Sequence, residues 1–131
     1  MIYEHRTYKA TPNSITKLKE RFRDHALPLL RKNGIEVVNF WENSSNSSGE
    51  LIYICRFMSK TDMKRSWERF SKDPWWLEAK EKSEKDGPLI EHIESKILRS
   101  VKFFPNKCED KYKDMLNQNY HHCQKSEYNQ K

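Results

Sequence analysis

Three observations in the sequence predict an α+β fold with the ferredoxin-like βαββαβ order. Two-residue alternation of side chains recurs in four segments, two amphipathic helical segments interrupt them, and the helical segments carry start and stop residues at their ends. The resulting order of strand, helix, strand, strand, helix, strand is the split-βαβ arrangement. With right-handed crossovers it gives a four-stranded antiparallel sheet with the helices on one face. Apolar and aromatic residues occur on both sides of the strands, so the far face needs a cover. A second copy laid sheet to sheet, as a homodimer forming a dimeric α+β barrel, is the economical cover.

The first strand, Ile2 to Lys9, places Ile2, Glu4, Arg6 and Tyr8 on one side and Tyr3, His5, Thr7 and Lys9 on the other. A turn at ATPN follows, and Asn13 or Ser14 can cap a helix marked by Ile15, Leu18, Phe22, Ala26 and Leu29. Pro28 has no N–H for the carbonyl one turn back, so it should bend that helix or loosen its last turns, and Asn33-Gly34 supplies a left-handed stop. Ile35 to Glu42 and Glu50 to Met58 read as a hairpin around the exposed connection NSSNSSG. Ser59 and Asp62 resemble a capping box, with Met63, Trp67 and Phe70 on the inner face of the second helix. Asp73-Pro74 opens another helical stretch whose Trp75, Trp76 and Leu77 should pack back on the sheet. After Gly87-Pro88 a long strand runs from Leu89 to Phe103, with Ile93, Ile97, Val101 and Phe103 on one side.

The expected organisation is one domain over residues 1–104 and a polar tail, 105–131, that forms one short helix or is partly disordered. A chain of 131 residues that is 35% hydrophobic and 34% charged must build its core from few, large residues, among them four Trp, six Tyr and six Phe. The formal charge of +6 invites a nucleic-acid partner, yet segments such as KLKERFRDH and EAKEKSEKD interleave both signs, so no nucleic-acid partner is expected. There is no apolar run long enough to insert into a membrane. The three cysteines, Cys55, Cys108 and Cys123, are far apart and do not form a disulfide framework, which favours a reducing, cytoplasmic location.

Several constellations carry chemistry. Glu4, Arg6 and Tyr8 share a face of the first strand, and Arg56 shares a face of the third with Ile52 and Ile54. Charges on central strands are costly unless paired or facing a wet cavity. They are read here as lining a pocket between sheet and helices, with Arg6 and Arg56 holding an anion, with His92, Glu94 and Lys96 extending the lining, or else as structural ion pairs at a dimer interface. Trp41, Trp67, Trp75 and Trp76 can stack on a flat ligand, Trp41 being taken as the ligand-binding one, and the competing and commoner role of such residues is as core and interface anchors. His25, near the bend at Pro28, is the candidate general base, and the competing reading is a packing histidine at a helix end. Cys108, His121, His122 and Cys123 have zinc-like chemistry but no paired spacing, so no metal is expected. Three glycines, at 34, 49 and 87, form no phosphate loop, no nucleophile elbow is present, and no cofactor is expected. Cys55 reads as buried packing.

The residues resemble a known family. IYEHRTYKATPNS is similar to the first strand and turn of the NIPSNAP family, whose members often begin with Tyr-Glu-Leu-Arg-Thr-Tyr. His25, Leu27-Pro28-Leu29-Leu30 and Lys32-Asn33-Gly34 resemble its His-x-x-Pro-Leu-Leu-x-Lys-His-Gly helix end. Phe40-Trp41, Cys55-Arg56-Phe57, Asp73-Pro74-Trp75 and Ser95-Lys96-Ile97-Leu98-Arg99 match later landmarks in order, over residues 1–104. The sequence departs from the pattern at His5 and Asn33, and the segment from Asn106 has no counterpart. The resemblance implies a dimeric α+β barrel of poorly defined activity. Eukaryotic members are associated with mitochondria and vesicle traffic, and related barrels include cofactor-independent monooxygenases. It leaves three readings of function: a small-molecule-binding homodimer, a cofactor-independent monooxygenase or isomerase, and a protein interaction module acting through its tail.

Overall fold

The computed structural model of the chain describes residues 1–45 and 47–104. They divide into a unit of Ile2–Leu98 and a second unit holding Met1 and the chain from Arg99 onward. In the second unit the described residues 99–104 contain a turn, closed by the Phe104 N–H donating to the Val101 carbonyl at 3.3 Å, and no helix or strand. The tail at 105–131, with Cys108, His121, His122 and Cys123, lies outside the described residues, and so do the expectations about it.

The larger unit has the expected order. Strand β1 (Ile2–Ala10) leads to α1 (Ile15–Arg21), a π-helical turn (Phe22–Ala26) and α2 (Leu27–Lys32). Strands β2 (Glu36–Glu42) and β3 (Glu50–Phe57) follow, then α3 (Lys60–Lys72), α4 (Pro74–Ser83) and β4 (Ile90–Leu98). The sheet order is β2-β3-β1-β4, with every neighbouring pair antiparallel. Arg6 lies opposite Tyr53 on β3 and Ser95 on β4, and Tyr3 lies opposite Arg56. Because side chains alternate along a strand, Ile2, Glu4, Arg6 and Tyr8 share the helix-covered face with Leu51, Tyr53, Cys55 and Phe57. That face meets Leu18, Phe22, Ala26 and Leu30 from the first helical run and Met63 and Phe70 from α3 in one core.

The first helical run shows what Pro28 does. The ring removes the N–H that would bond the carbonyl of residue 24, and the turn just before it widens, so that Leu27 N–H reaches back five residues to the Phe22 carbonyl. The helix continues beyond this point as α2, so the proline widens a turn rather than ending the run. At its end Gly34 takes φ +86°, while the Ile35 N–H bonds the Leu30 carbonyl at 2.9 Å and closes the helix. A Cβ at Gly34 would also lie 3.0 Å from the Arg69 guanidinium.

The second crossover is capped as expected. Ser59 Oγ accepts the Asp62 N–H at 3.1 Å, and Asp73 Oδ1 accepts the Trp75 N–H at 2.9 Å with Pro74 in the first helical turn. Asp73 Oδ2 accepts from Asn33 Nδ2 at 2.9 Å and Lys32 Nζ at 3.1 Å, which fastens the end of α2 to the α3–α4 junction. Two expectations are corrected. Trp75 and Leu77 are exposed, and only Trp76 turns inward, stacking on Phe70, because α4 lies against the neighbouring helices and shows the sheet a single face. The last strand stops at Leu98 and not at Phe103: its ladder with β1 ends at the pair Tyr3 and Leu98, and Val101 and Phe103 lie outside any strand.

The left-handed backbone at Gly34 predicts that Gly34→Ala costs about 1–2 kcal/mol of stability in urea denaturation, and a loss under about 0.5 kcal/mol would show that the turn relaxes. The hydrogen bond from Asn33, ahead of that from Lys32, holds the Asp73 carboxyl below its ordinary pKa. Its stabilisation is therefore complete above the unfolded carboxyl value of about 3.9 and is lost as pH falls through the lower native value. Asp73→Asn should flatten the acid limb of stability against pH, measured by thermal melts between neutrality and strong acid; an unchanged acid limb would assign that limb to other carboxyls.

Candidate functional site

The site begins with a problem posed by β1. A carboxylate and a guanidinium sit two residues apart on the covered face of a central strand, and each needs partners there. Glu4 is 4% exposed and finds three donors: Trp67 Nε1 at 2.6 Å on Oε1, and Arg6 Nη1 at 2.9 Å and Ser95 Oγ at 2.6 Å on Oε2. Arg6 donates Nε to the hydroxyls of Tyr53 at 3.1 Å and Tyr8 at 3.2 Å, and Nη2 to Tyr8 at 2.9 Å. Those two hydroxyls share a further hydrogen bond of 2.9 Å. The guanidinium lies 4.2 Å from the centre of the Trp67 ring, a cation–π contact. Burial opposes the charge on Arg6, but Tyr53, Tyr8 and Glu4 outweigh it and hold the guanidinium pKa above its ordinary value. Burial also pushes the Tyr53 hydroxyl and the Cys55 thiol up, so both stay protonated at neutral pH.

Above this network, between the sheet and the helices, is a cavity of about 480 Å³. Its walls include Tyr8, Phe22, Tyr53, Trp67, Phe70 and Trp76, with Ile90 and Ile93 of β4 on the open side. The rings hold one another: Phe22 meets Tyr8 edge-on at 5.3 Å and Tyr53 at 5.5 Å, and Phe70 stacks on Trp76 at 4.8 Å. A second ion pair borders the cavity, with Arg21 Nη1 bonded to Glu84 at 2.7 Å and to Ser83 Oγ at 3.1 Å and the Arg21 guanidinium 5.1 Å from the Trp76 ring centre.

The structure brings Glu4, Arg6 and Tyr8 together and separates Arg56 and Trp41 from them. Arg56 projects from the opposite face of the sheet, where it is buried and forms a two-point ion pair with Glu36 of β2. Trp41 lies on that outer face too, opposite Ile52, and is 47% exposed. The expectation that Arg6 and Arg56 line one pocket is corrected by this register, in which even-numbered residues of β1 share a face with odd-numbered residues of β3. Glu94 and Lys96, opposite Thr7 and His5, are likewise on the outer face, while His92 borders the cavity. His25 is exposed in the π-helical turn and borders a separate groove of about 720 Å³ between the first helical run and α4. Tyr53 and Ser95 were not singled out from sequence. Tyr53 stands in an apolar alternation that marks it as core, and the only signal for either is its place opposite Arg6, which requires the register.

Among the described residues no cluster of three or more His, Cys, Asp or Glu could hold a metal ion, and no helix is long and apolar enough to cross a membrane. Fold and site together define a small α+β domain with an aromatic-walled cavity over an internally neutralised ion pair. The chain belongs to the NIPSNAP family, whose sequence profile matches residues 3–105. Among solved structures it is similar to an uncharacterized NIPSNAP domain protein from Burkholderia xenovorans, at 22% identity and TM-score 0.69 over 81% of this chain and 100% of that one. It is also similar to protein Atu4242 from Agrobacterium tumefaciens, at 28% identity and TM-score 0.69 over 80% of this chain and 98% of that one. A candidate antibiotic biosynthesis monooxygenase from Nitrosomonas europaea shares the fold at 12% identity and TM-score 0.55, over 77% of this chain and 99% of that one. No curated protein matches the sequence.

Glu4→Ala would leave Arg6 buried beside neutral partners only, and is expected to destabilise the protein by about 3 kcal/mol in chemical denaturation. A loss below about 1 kcal/mol would mean that water screens the pair as it screens surface salt bridges.

Proposed function

We propose that this NIPSNAP protein is a homodimer that binds a small aromatic or anionic molecule in the cavity between its sheet and helices. The observation that carries this reading is the cavity wall: six aromatic rings around a space of about 480 Å³, within the range usual for small-molecule sites. A core that needed these rings only for stability would close over them, since interiors pack to the density of organic crystals. The aromatic walls favour a flat body, and the Tyr8 and Tyr53 hydroxyls with Arg21 and Lys80 in the wall favour an oxygen acceptor.

Dimerisation is supported by the outer face of the sheet, where Ile52 and Ile54 are half-buried and Trp41 and Leu98 are exposed. In the proposed dimer a second copy covers these residues. A cytoplasmic setting suits Cys55, a buried free thiol.

Sedimentation equilibrium should give twice the 15.9 kDa mass of one chain, and Ile54→Glu on the outer face should return it to one; a wild-type monomer at micromolar concentration would remove the dimer. Tryptophan fluorescence titrations against a set of neutral aromatics and aromatic carboxylates should show saturable binding through Trp67 and Trp76. Ile93→Trp, on the cavity's open side, should weaken that binding at least tenfold. Binding that ignores the blocked cavity would place the ligand elsewhere.

A further inference from the structure

We propose that the ligand's polar end is a neutral carbonyl oxygen, received by the paired hydroxyls of Tyr8 and Tyr53 that Arg6 polarises from behind, with a flat aromatic body beyond it. This rests on the cavity being a ligand site and adds which polar group the ligand carries.

The hydrogen-bond inventory leaves one donor over at the cavity wall. Arg6, which is not among the lining residues, shares its Nε–H between the two tyrosine hydroxyls and gives one Nη1–H to Glu4 and one Nη2–H to Tyr8. The bond between Tyr8 and Tyr53 consumes one hydroxyl proton, whichever way it points, and leaves the other unspent. The one acid in the network is already occupied, by Trp67 on Oε1 and by Arg6 and Ser95 on Oε2. A ligand that completes this floor must therefore bring an acceptor.

Charge decides between a neutral and an anionic acceptor. Arg6 is balanced by Glu4 and Arg21 by Glu84, and at the cavity margin the exposed Lys80 stands with the exposed Glu91. The wall thus has no surplus positive charge to meet a carboxylate beside Tyr8 and Tyr53, which are 7% and 0% exposed. Burying an anion there would leave it uncompensated, whereas a carbonyl offers two lone pairs at no such cost. Because the guanidinium donates to both hydroxyl oxygens, the spare hydroxyl proton is polarised outward, as suits an oxygen that carries partial negative charge.

The experiment compares three bicyclic probes of similar size by calorimetry on the full-length protein: 2-acetylnaphthalene, 2-ethylnaphthalene and 2-naphthoate. The ketone should bind about tenfold more tightly than the hydrocarbon and more tightly than the carboxylate. Either Tyr8→Phe or Tyr53→Phe alone leaves one spare hydroxyl proton and should reduce the preference over the hydrocarbon only about threefold, whereas the double variant should lose it. Should the double variant not fold, the wild-type series and the single variants still decide. Equal affinity for ketone and hydrocarbon, or tightest binding of the naphthoate, would overturn the carbonyl assignment while leaving the cavity a ligand site. No binding by any probe would overturn the assignment, and the fluorescence titrations with chemically different ligands would then show separately whether the cavity reading falls with it.

Discussion

One buried ion pair on the central strand organises the helix-covered side of this protein. Glu4 and Arg6 point into the layer between sheet and helices, where an unpaired charge costs several kcal/mol. The structure answers with partners from every direction: Tyr53 from β3, Ser95 from β4 and Trp67 from α3, which is 63 residues away in sequence from the carboxylate it bonds. Each of these contacts has a fixed length and direction, so the pair sets the rotation of α3 on the sheet as well as the identity of its neighbours. A purely apolar face would permit many near-equivalent packings of the same helix; a buried carboxylate with three donors permits few.

The aromatic cavity follows from that arrangement. Trp67 is held by Glu4 at its ring nitrogen and by Arg6 at its face, so it is fixed against the sheet and cannot swing into the open space. Trp76 is held in the same way, between the Phe70 ring and the Arg21 guanidinium, which is itself fixed by Glu84. Both indoles, each beside the Phe70 ring, are thus pinned by ion pairs in the cavity wall, to which the widened turn at Phe22–Ala26 adds Phe22 and Ala26. The open space is thus kept by polar anchoring of large rings.

Most of the fold was legible in the sequence, because alternation, caps and breakers act locally. Ser59 and Asp73 cap the helices they precede, Gly34 takes the left-handed turn, and the four strands fall in their expected order. What local pattern does not encode is the pairing of faces between strands. On β3 both sides are largely apolar, with Leu51, Tyr53 and Cys55 on one and Ile52 and Ile54 on the other, so hydropathy alone cannot say which side meets the helices. The β2–β3 connection is too long to fix the register, and β2 carries an irregularity between Val37 and Asn39 that shifts its own facing. Sequence pattern therefore groups Arg56 with Arg6, and the register places it on the other face. Glu4, Arg6 and Tyr8 were found together because they need only the period of one strand; Tyr53, Ser95 and Trp67 needed the assembled sheet.

Arginine at position 6 is an expensive way to neutralise Glu4. A lysine would supply charge with fewer donors, and an apolar pair in both positions would avoid desolvation altogether, which in other buried ion pairs is neutral or stabilising. The guanidinium instead donates in several directions at once, to Glu4 and to both phenol oxygens. Arginine at this position is explained by its geometry: one planar fork on β1 joins the Glu4 carboxylate to both phenol hydroxyls that border the cavity.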